Sequence, residues 1–257
     1  MNRLIFLVFL SWLVSIGFPQ NAQAKRSKGL TVEEQYELGQ RYLKRGYYIK
    51  AVEQFNRIRN NYRDDALAIE AELAIADVHF KKGDWDIART SYDAFRRRYP
   101  RHERIDYVVY QIGLTFYKKA PRFAGRDQTW TSQAISSWAR FEDKYTTSEY
   151  GVEVLELREE CLERLAKKEI RITEFYVRRE AWVAVQRRAK GLVQEYPDSQ
   201  YKAEALYWLS LSSTYTNEIE TVTAALAQLD ALDPERSAVA RRKIDRIKQA
   251  QMELSND

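Results

Sequence analysis

The chain has 257 residues, of which 45% are hydrophobic, 31% charged and 13% aromatic, with a formal net charge of +5. Only 9 Gly and 5 Pro are present, too few turn residues for an architecture of many short strands, so the composition excludes an all-β domain and points to an all-α one. A single cysteine, Cys161, excludes any intramolecular disulfide; it is expected to pack in a helix as a small apolar group.

The N-terminus reads as a processing signal. Met1–Arg3 carries one positive charge, Leu4–Phe18 is apolar apart from Ser11, Ser15 and Gly17, and Ala22-Gln23-Ala24 is a small-x-small site. This is the layout of a secretory signal peptide cleaved after Ala24. The alternative is retention as an N-terminal membrane anchor, although the apolar run falls short of the ~20 residues that span a bilayer.

The rest of the chain repeats itself. Leu38-Gly39-x-x-Tyr42, a turn at Gly46 and Ala51-x-x-x-Phe55 form a first unit. Ile75-Ala76-x-x-His79, a turn at Gly83-Asp84, Ala88-x-x-x-Tyr92 and Pro100 form a second. A third opens with Ile112-Gly113-x-x-Phe116 and closes with Ala134-x-x-x-Trp138, and the Pro- and Gly-containing stretch from Ala120 to Asp127 makes its turn a loop. Ile172-Thr173-x-x-Tyr176, Trp182, Val185-x-x-x-Ala189 and Pro197 mark a fourth unit; Leu211-Ser212-x-x-Tyr215 and Ala224 mark a weaker fifth.

This is the tetratricopeptide (TPR) pattern. Small residues let two helices approach, large ones fill the space between them, and neighbouring pairs must stack to bury what one pair cannot. The expected fold is an all-α TPR superhelical solenoid of about five helix pairs. Leu155 to Ile170 is expected to form one long helix linking units three and four, and a capping helix to start at Pro234. The domain reading is a signal peptide over 1–24, units one to three with the linking helix over 25–165, and units four and five with the cap over 166–257.

Nothing in this sequence assembles a catalytic centre. His79 takes a repeat position that normally packs an aromatic, and His102, after Pro100-Arg101, is expected to be solvated in a loop. Glu159-Glu160 and Asp64-Asp65 sit among basic residues as charged faces, and phosphate-binding loops and nucleophile elbows are absent. The chain is read as a non-enzyme without metal or cofactor. Arg96-Arg97-Arg98, Arg187-Arg188 and Arg241-Arg242-Lys243 are basic clusters with acids nearby, so solvated helix faces are expected there and nucleic acid is not. Anionic lipid head groups or acidic partner segments are the functional alternative.

In such arrays the first helix of each pair lines the concave side. Tyr107, Tyr110, Leu114 and Tyr117 recur at helical spacing. The matching face of unit one carries Tyr36, Gln40 and Leu43, and that of unit two Leu73, Asp77 and Phe80. Core burial and an aromatic trough for an extended apolar or aromatic-ended peptide are both open readings of this set.

Three segments are more specific: Ile105-Asp106-Tyr107-Val108-Val109-Tyr110-x-x-Gly113-Leu114, the Arg126-Asp127 loop before Ala134, and Phe175-Tyr176-x-x-Arg179-x-Ala181-Trp182-Val183-Ala184-Val185 followed by Tyr196-Pro197-Asp198-Ser199. Over nearly all of the mature chain they resemble the BamD (ComL) family, periplasmic TPR lipoproteins of the outer-membrane β-barrel assembly machinery. The resemblance implies that the C-terminal repeats bind the barrel-forming subunit (BamA type), with Tyr176, Arg179, Trp182, Arg187 and Arg188 as candidate contacts; Arg188 matches an arginine that influences this coupling in the family. It implies that the N-terminal repeats receive C-terminal segments of unfolded outer-membrane proteins. Other subunits of the machinery are further candidate partners. The sequence departs from the family at the signal peptide, where Ala22-Gln23-Ala24 stands in place of a lipobox cysteine. Membrane association is therefore expected to be indirect, through a partner at the inner face of the outer membrane. The alternative is a soluble periplasmic TPR adaptor for cell-wall synthesis or division.

Overall fold

The computed structural model describes residues 29–256, so the signal-peptide reading lies outside the described residues. Those residues form α1 (Val32–Lys44), α2 (Tyr48–Asn61), α3 (Ala66–Lys82), α4 (Trp85–Arg98), α5 (Ile105–Lys119), α6 (Thr129–Trp138), α7 (Phe141–Lys144), α8 (Gly151–Val177), α9 (Trp182–Glu195), α10 (Lys202–Tyr215), α11 (Ile219–Leu232) and α12 (Pro234–Asn256). The pairs α1/α2, α3/α4, α5/α6, α8/α9 and α10/α11 are the five repeats, and each packs on the next. α12 caps the array against α10 and α11.

Local chemistry sets the ends. Thr31 and Glu34 form a reciprocal capping box at the start of α1, and the Asp65 carboxylate accepts from the Leu67 N–H at the start of α3. Gly46 and Gly83 turn the chain between the helices of units one and two with φ of 74° and 88°, conformations in which glycine carries no Cβ penalty. Units four and five make the same turn with Glu180 (φ 54°) and Asn217 (φ 62°), again 37 positions apart.

The repeat residues do the packing expected of them. Ala51, Phe55, Ala88, Tyr92, Ala134, Trp138, Val185 and Ala189 are fully buried. A Cβ on Gly39 would stand 2.6 Å from the Phe55 ring, and one on Gly113 only 2.1 Å from the Trp138 indole. In the fifth unit the sequence reading is corrected: Ala224 is exposed, and Val222 and Leu226 hold the packing positions. Counted from the turn residue Asn217, these sit where Ala51 and Phe55 sit after Gly46.

The linking helix is longer than its charge pattern indicates: α8 runs for 27 residues. Its first half places Val154 and Cys161 in the core of unit three with Trp138 and Phe141. Its second half places Ile170 with Leu192 and Ala205. The expected boundary at 165/166 falls inside this helix, with no linker there. Cys161 is fully buried, and burial pushes its thiol up to about 11. His102 is not solvated. Its side chain is 15% exposed and lies against Phe95, with Nε2 3.2 Å from Glu70, because the Pro100 turn folds the loop back onto α3.

Candidate protein-binding surfaces

Two surfaces carry the residues singled out by sequence. The first is the face of α1, α3 and α5. Here Leu43, Leu73, Tyr110 and Leu114 are buried in the helix-packing cores, so four members of the expected trough are held by neighbouring helices and not presented in an open groove. Tyr36, Gln40, Asp77, Phe80, Tyr107 and Tyr117 are half-buried. Phe80 and Tyr107 each pack against two of these cores, and Tyr36 and Tyr117 against one, so the set is held largely by helix packing, with polar groups at Tyr36, Gln40, Asp77, Tyr107 and Tyr117.

Their hydroxyls are largely committed. The Tyr92 and Tyr107 hydroxyls both donate to Asp77 Oδ1, at 2.6 and 2.8 Å. Tyr110 donates to Glu153 at 2.7 Å and Tyr117 to Glu160 at 2.6 Å, tying α5 to α8. Gln40 Nε2 donates to the Tyr36 hydroxyl at 3.2 Å. The Arg104 guanidinium lies 4.6 Å from the Tyr107 ring centroid and pairs with Glu70.

Sequence reasoning missed Tyr150, which stacks on Tyr110 at 4.8 Å and 15° and also meets Tyr107. It sits just before α8, so no periodicity within α5 points to it. Arg104, Glu70, Glu153 and Glu160 were missed for the same reason: they come from other elements.

Burial drives the electrostatics of this face. Desolvation raises the Asp77 carboxyl above its ordinary value, partly offset by the two phenol hydrogen bonds. Desolvation also raises Tyr92, Tyr107 and Tyr110, and pushes Tyr150 up to about 12. A phenol whose folded value is raised contributes stability fully present below its unfolded value near 10, and lost as pH rises through the folded value. The expected result is a melting temperature that declines once pH passes about 10. Tyr92→Phe and Tyr107→Phe together should flatten that decline in pH-dependent thermal scans; an unchanged slope would place the effect elsewhere.

The second surface is the α8–α9 turn. The Arg179 guanidinium lies 3.5 Å from the Phe175 ring centroid, and Phe175 meets Tyr176 edge-on at 5.4 Å. Trp182 stacks on Tyr215 at 4.0 Å and 7°, joining units four and five. That stack is open to solvent on one side: Trp182 is half-buried and Tyr215 39% exposed. Arg187 is exposed, while Arg188 pairs with Glu169 of α8 at 3.1 Å. Phe175, Tyr215 and Glu169 are the partners that the sequence did not reveal. The structure thus groups Tyr176, Arg179 and Trp182 at one turn and sets Arg187 and Arg188 farther along α9.

Residues 29–228, nearly the whole array up to the middle of α11, match the family described as "YfiO: Outer membrane lipoprotein". The chain belongs to this family. Relatives bear the name "Outer membrane protein assembly factor BamD". The protein of Xylella fastidiosa (strain 9a5c) is 27% identical, over 84% of this chain and 76% of its own. That of Pasteurella multocida (strain Pm70) is 26% identical over 76% and 80%, and that of Neisseria gonorrhoeae 23% identical over 82% and 84%. Among solved structures, the "TPR2AB-domain:pHSP90-complex of yeast Sti1" aligns over 83% of this chain and 82% of that one, with 12% identity and a TM-score of 0.46. The TPR assignment rests on the helix pairs and their buried repeat residues. Family membership matches the resemblance carried by the Trp182 segment.

Proposed function

We propose that the chain is a non-catalytic scaffold of outer-membrane β-barrel protein assembly. The observation that carries this reading is the family match across residues 29–228, together with relatives named as assembly factors over three-quarters or more of their own lengths. In this reading it works in the periplasm, at the inner face of the outer membrane. Units four and five bind the barrel-forming subunit through Tyr176, Arg179, Trp182, Arg187 and Arg188. The open Trp182–Tyr215 stack supports this, because half-exposed aromatics and arginines are the residue types that anchor protein interfaces. Units one to three receive C-terminal segments of unfolded outer-membrane proteins. The half-buried edges of Tyr36, Gln40, Asp77, Tyr107 and Tyr117 support that role, with the buried members of the set holding those edges in place.

Affinity capture from solubilised envelopes tests the first interaction. The wild-type chain should recover the barrel-forming subunit. Arg188→Leu also frees Glu169 from its ion pair, so Arg187→Leu, at an exposed position without an ion-pair partner among the described residues, is the cleaner probe. Each should lower recovery several-fold with unchanged helicity by circular dichroism. Recovery of only cell-wall or division proteins would reject the proposal.

A further inference from the structure

The loop joining α5 to α6 ends in two exposed features: the Phe123 ring, 57% exposed, and the arginines Arg122 and Arg126. The Arg171 guanidinium of α8 lies 5.0 Å from the Phe123 ring centroid. One turn farther along the same helix is Phe175, 41% exposed, and the Arg179 guanidinium covers it at 3.5 Å. Phe123, Arg171, Phe175 and Arg179 therefore form an alternating ladder of phenyl and guanidinium groups across the turn edge of units three and four.

Packing within the chain does not account for this ladder. Its phenyl rings are held out of every core. Arg122, Arg126, Arg171, Arg178 and Arg179 have no carboxylate partner among the described residues. The nearby Asp127 carboxylate accepts the Thr129 hydroxyl and N–H, both at Oδ1, and pairs with none of these arginines. Helix-dipole compensation explains basic residues in the last turn of a helix. It does not explain Arg122 and Arg126 in a loop, or Arg171 nearly two turns before the end of α8.

We propose that this edge rests on an anionic phospholipid surface. Guanidinia without a carboxylate partner complement lipid phosphates, although Arg179 also donates to the Phe175 carbonyl at 3.3 Å. Phenyl rings without a polar handle suit the boundary between head groups and acyl chains, while the arginine stems lie along the rings and keep their heads at phosphate level. Among the described residues no helix is long and apolar enough to cross a membrane. The ladder adjoins the α8–α9 turn assigned above to a protein partner, but Phe123, Arg122, Arg126 and Arg171 lie outside that assignment, and the two can be tested apart.

The test is co-sedimentation of residues 25–257, which contain every helix described, with vesicles of phosphatidylethanolamine and phosphatidylglycerol, or of phosphatidylcholine alone. Binding to the anionic vesicles should weaken with salt and be negligible on the neutral ones. A guanidinium at such a surface is worth roughly fivefold in partitioning, so Arg126→Gln with Arg171→Gln should lower it roughly twenty-five-fold. Phe123→Ser should lower the part of the binding that survives high salt, leaving the share carried by Phe175. Arg59→Gln with Arg97→Gln, on the opposite edge, removes the same charge and should change it little. Three outcomes would overturn the proposal: no binding to anionic vesicles, equal loss in the opposite-edge pair, or a ladder variant that keeps vesicle binding and loses only the barrel-forming subunit.

Discussion

Gly113→Ala is expected to lower the melting temperature by roughly ten degrees. The added Cβ would lie 2.1 Å from Trp138 Cε2 and 2.2 Å from Nε1. The indole has nowhere to retreat: it is fully buried, and its N–H donates to the Tyr110 carbonyl at 3.2 Å. Either the ring tilts out of its bond and leaves that carbonyl short, or α5 and α6 separate. Overpacking of this kind costs on the order of 3 kcal/mol, and each kcal/mol moves the melting temperature of a chain this size by about 2–4 °C. Gly191 supplies the internal comparison. It is also helical, yet a Cβ there meets nothing within 4 Å. Gly191→Ala should therefore stabilise slightly, by up to about 1 kcal/mol, through helix propensity alone. Calorimetry on the two variants would decide the matter, and similar shifts for both would refute the steric argument.

The second large effect is expected at Gln128. Its side chain is 1% exposed and works as the internal frame of the α5–α6 loop. Nε2 donates toward the carbonyls of Pro121, Phe123 and Arg126 at 3.3, 3.0 and 3.3 Å, while Oε1 accepts from the Thr131 hydroxyl at 2.5 Å. Gln128→Leu keeps most of the volume and removes every one of these bonds. Each buried polar group left unpaired costs about 1–3 kcal/mol, and several are left at once. Part of that cost can be avoided if the loop opens to water, so the clearest readout is local. Amide exchange from residue 122 to 127 should accelerate by orders of magnitude, and protease should cut there first. If exchange in the loop is unchanged, Gln128 is not its frame.

Much of the array was legible in the sequence, because the TPR pattern is a steric rule written in residue size. Gly39 against Phe55 and Gly113 against Trp138 state it directly, and the turns at Gly46 and Gly83 announce themselves. The pattern blurred where another residue could do the same job. Glu180 and Asn217 make left-handed turns without glycine. In the fifth unit Val222 stands in the alanine position, and the small residue Ala224 two positions on is exposed. The candidate surfaces were less legible. Periodicity placed Tyr110 and Leu114 on one face of α5, but whether a face meets solvent or another helix depends on elements distant in the chain. Glu153 and Glu160, 43 residues from the tyrosines they bind, carry no local mark of that role. The Trp182–Tyr215 stack likewise joins two units across the α9 and α10 helices.

Repeat arrays are usually modular, since each unit touches only its neighbours and units can be added or removed in whole numbers. α8 breaks that rule. One unbroken helix, about 40 Å long at 1.5 Å per residue, fills the core of unit three with Val154 and Cys161 and, farther along, the next core with Ile170. No cut near residue 165 yields two complete halves: either fragment would carry part of an apolar stripe with nothing to cover it. A repeat inserted or removed at the centre would have to rebuild two cores at once, whereas one added at an end would meet a single interface.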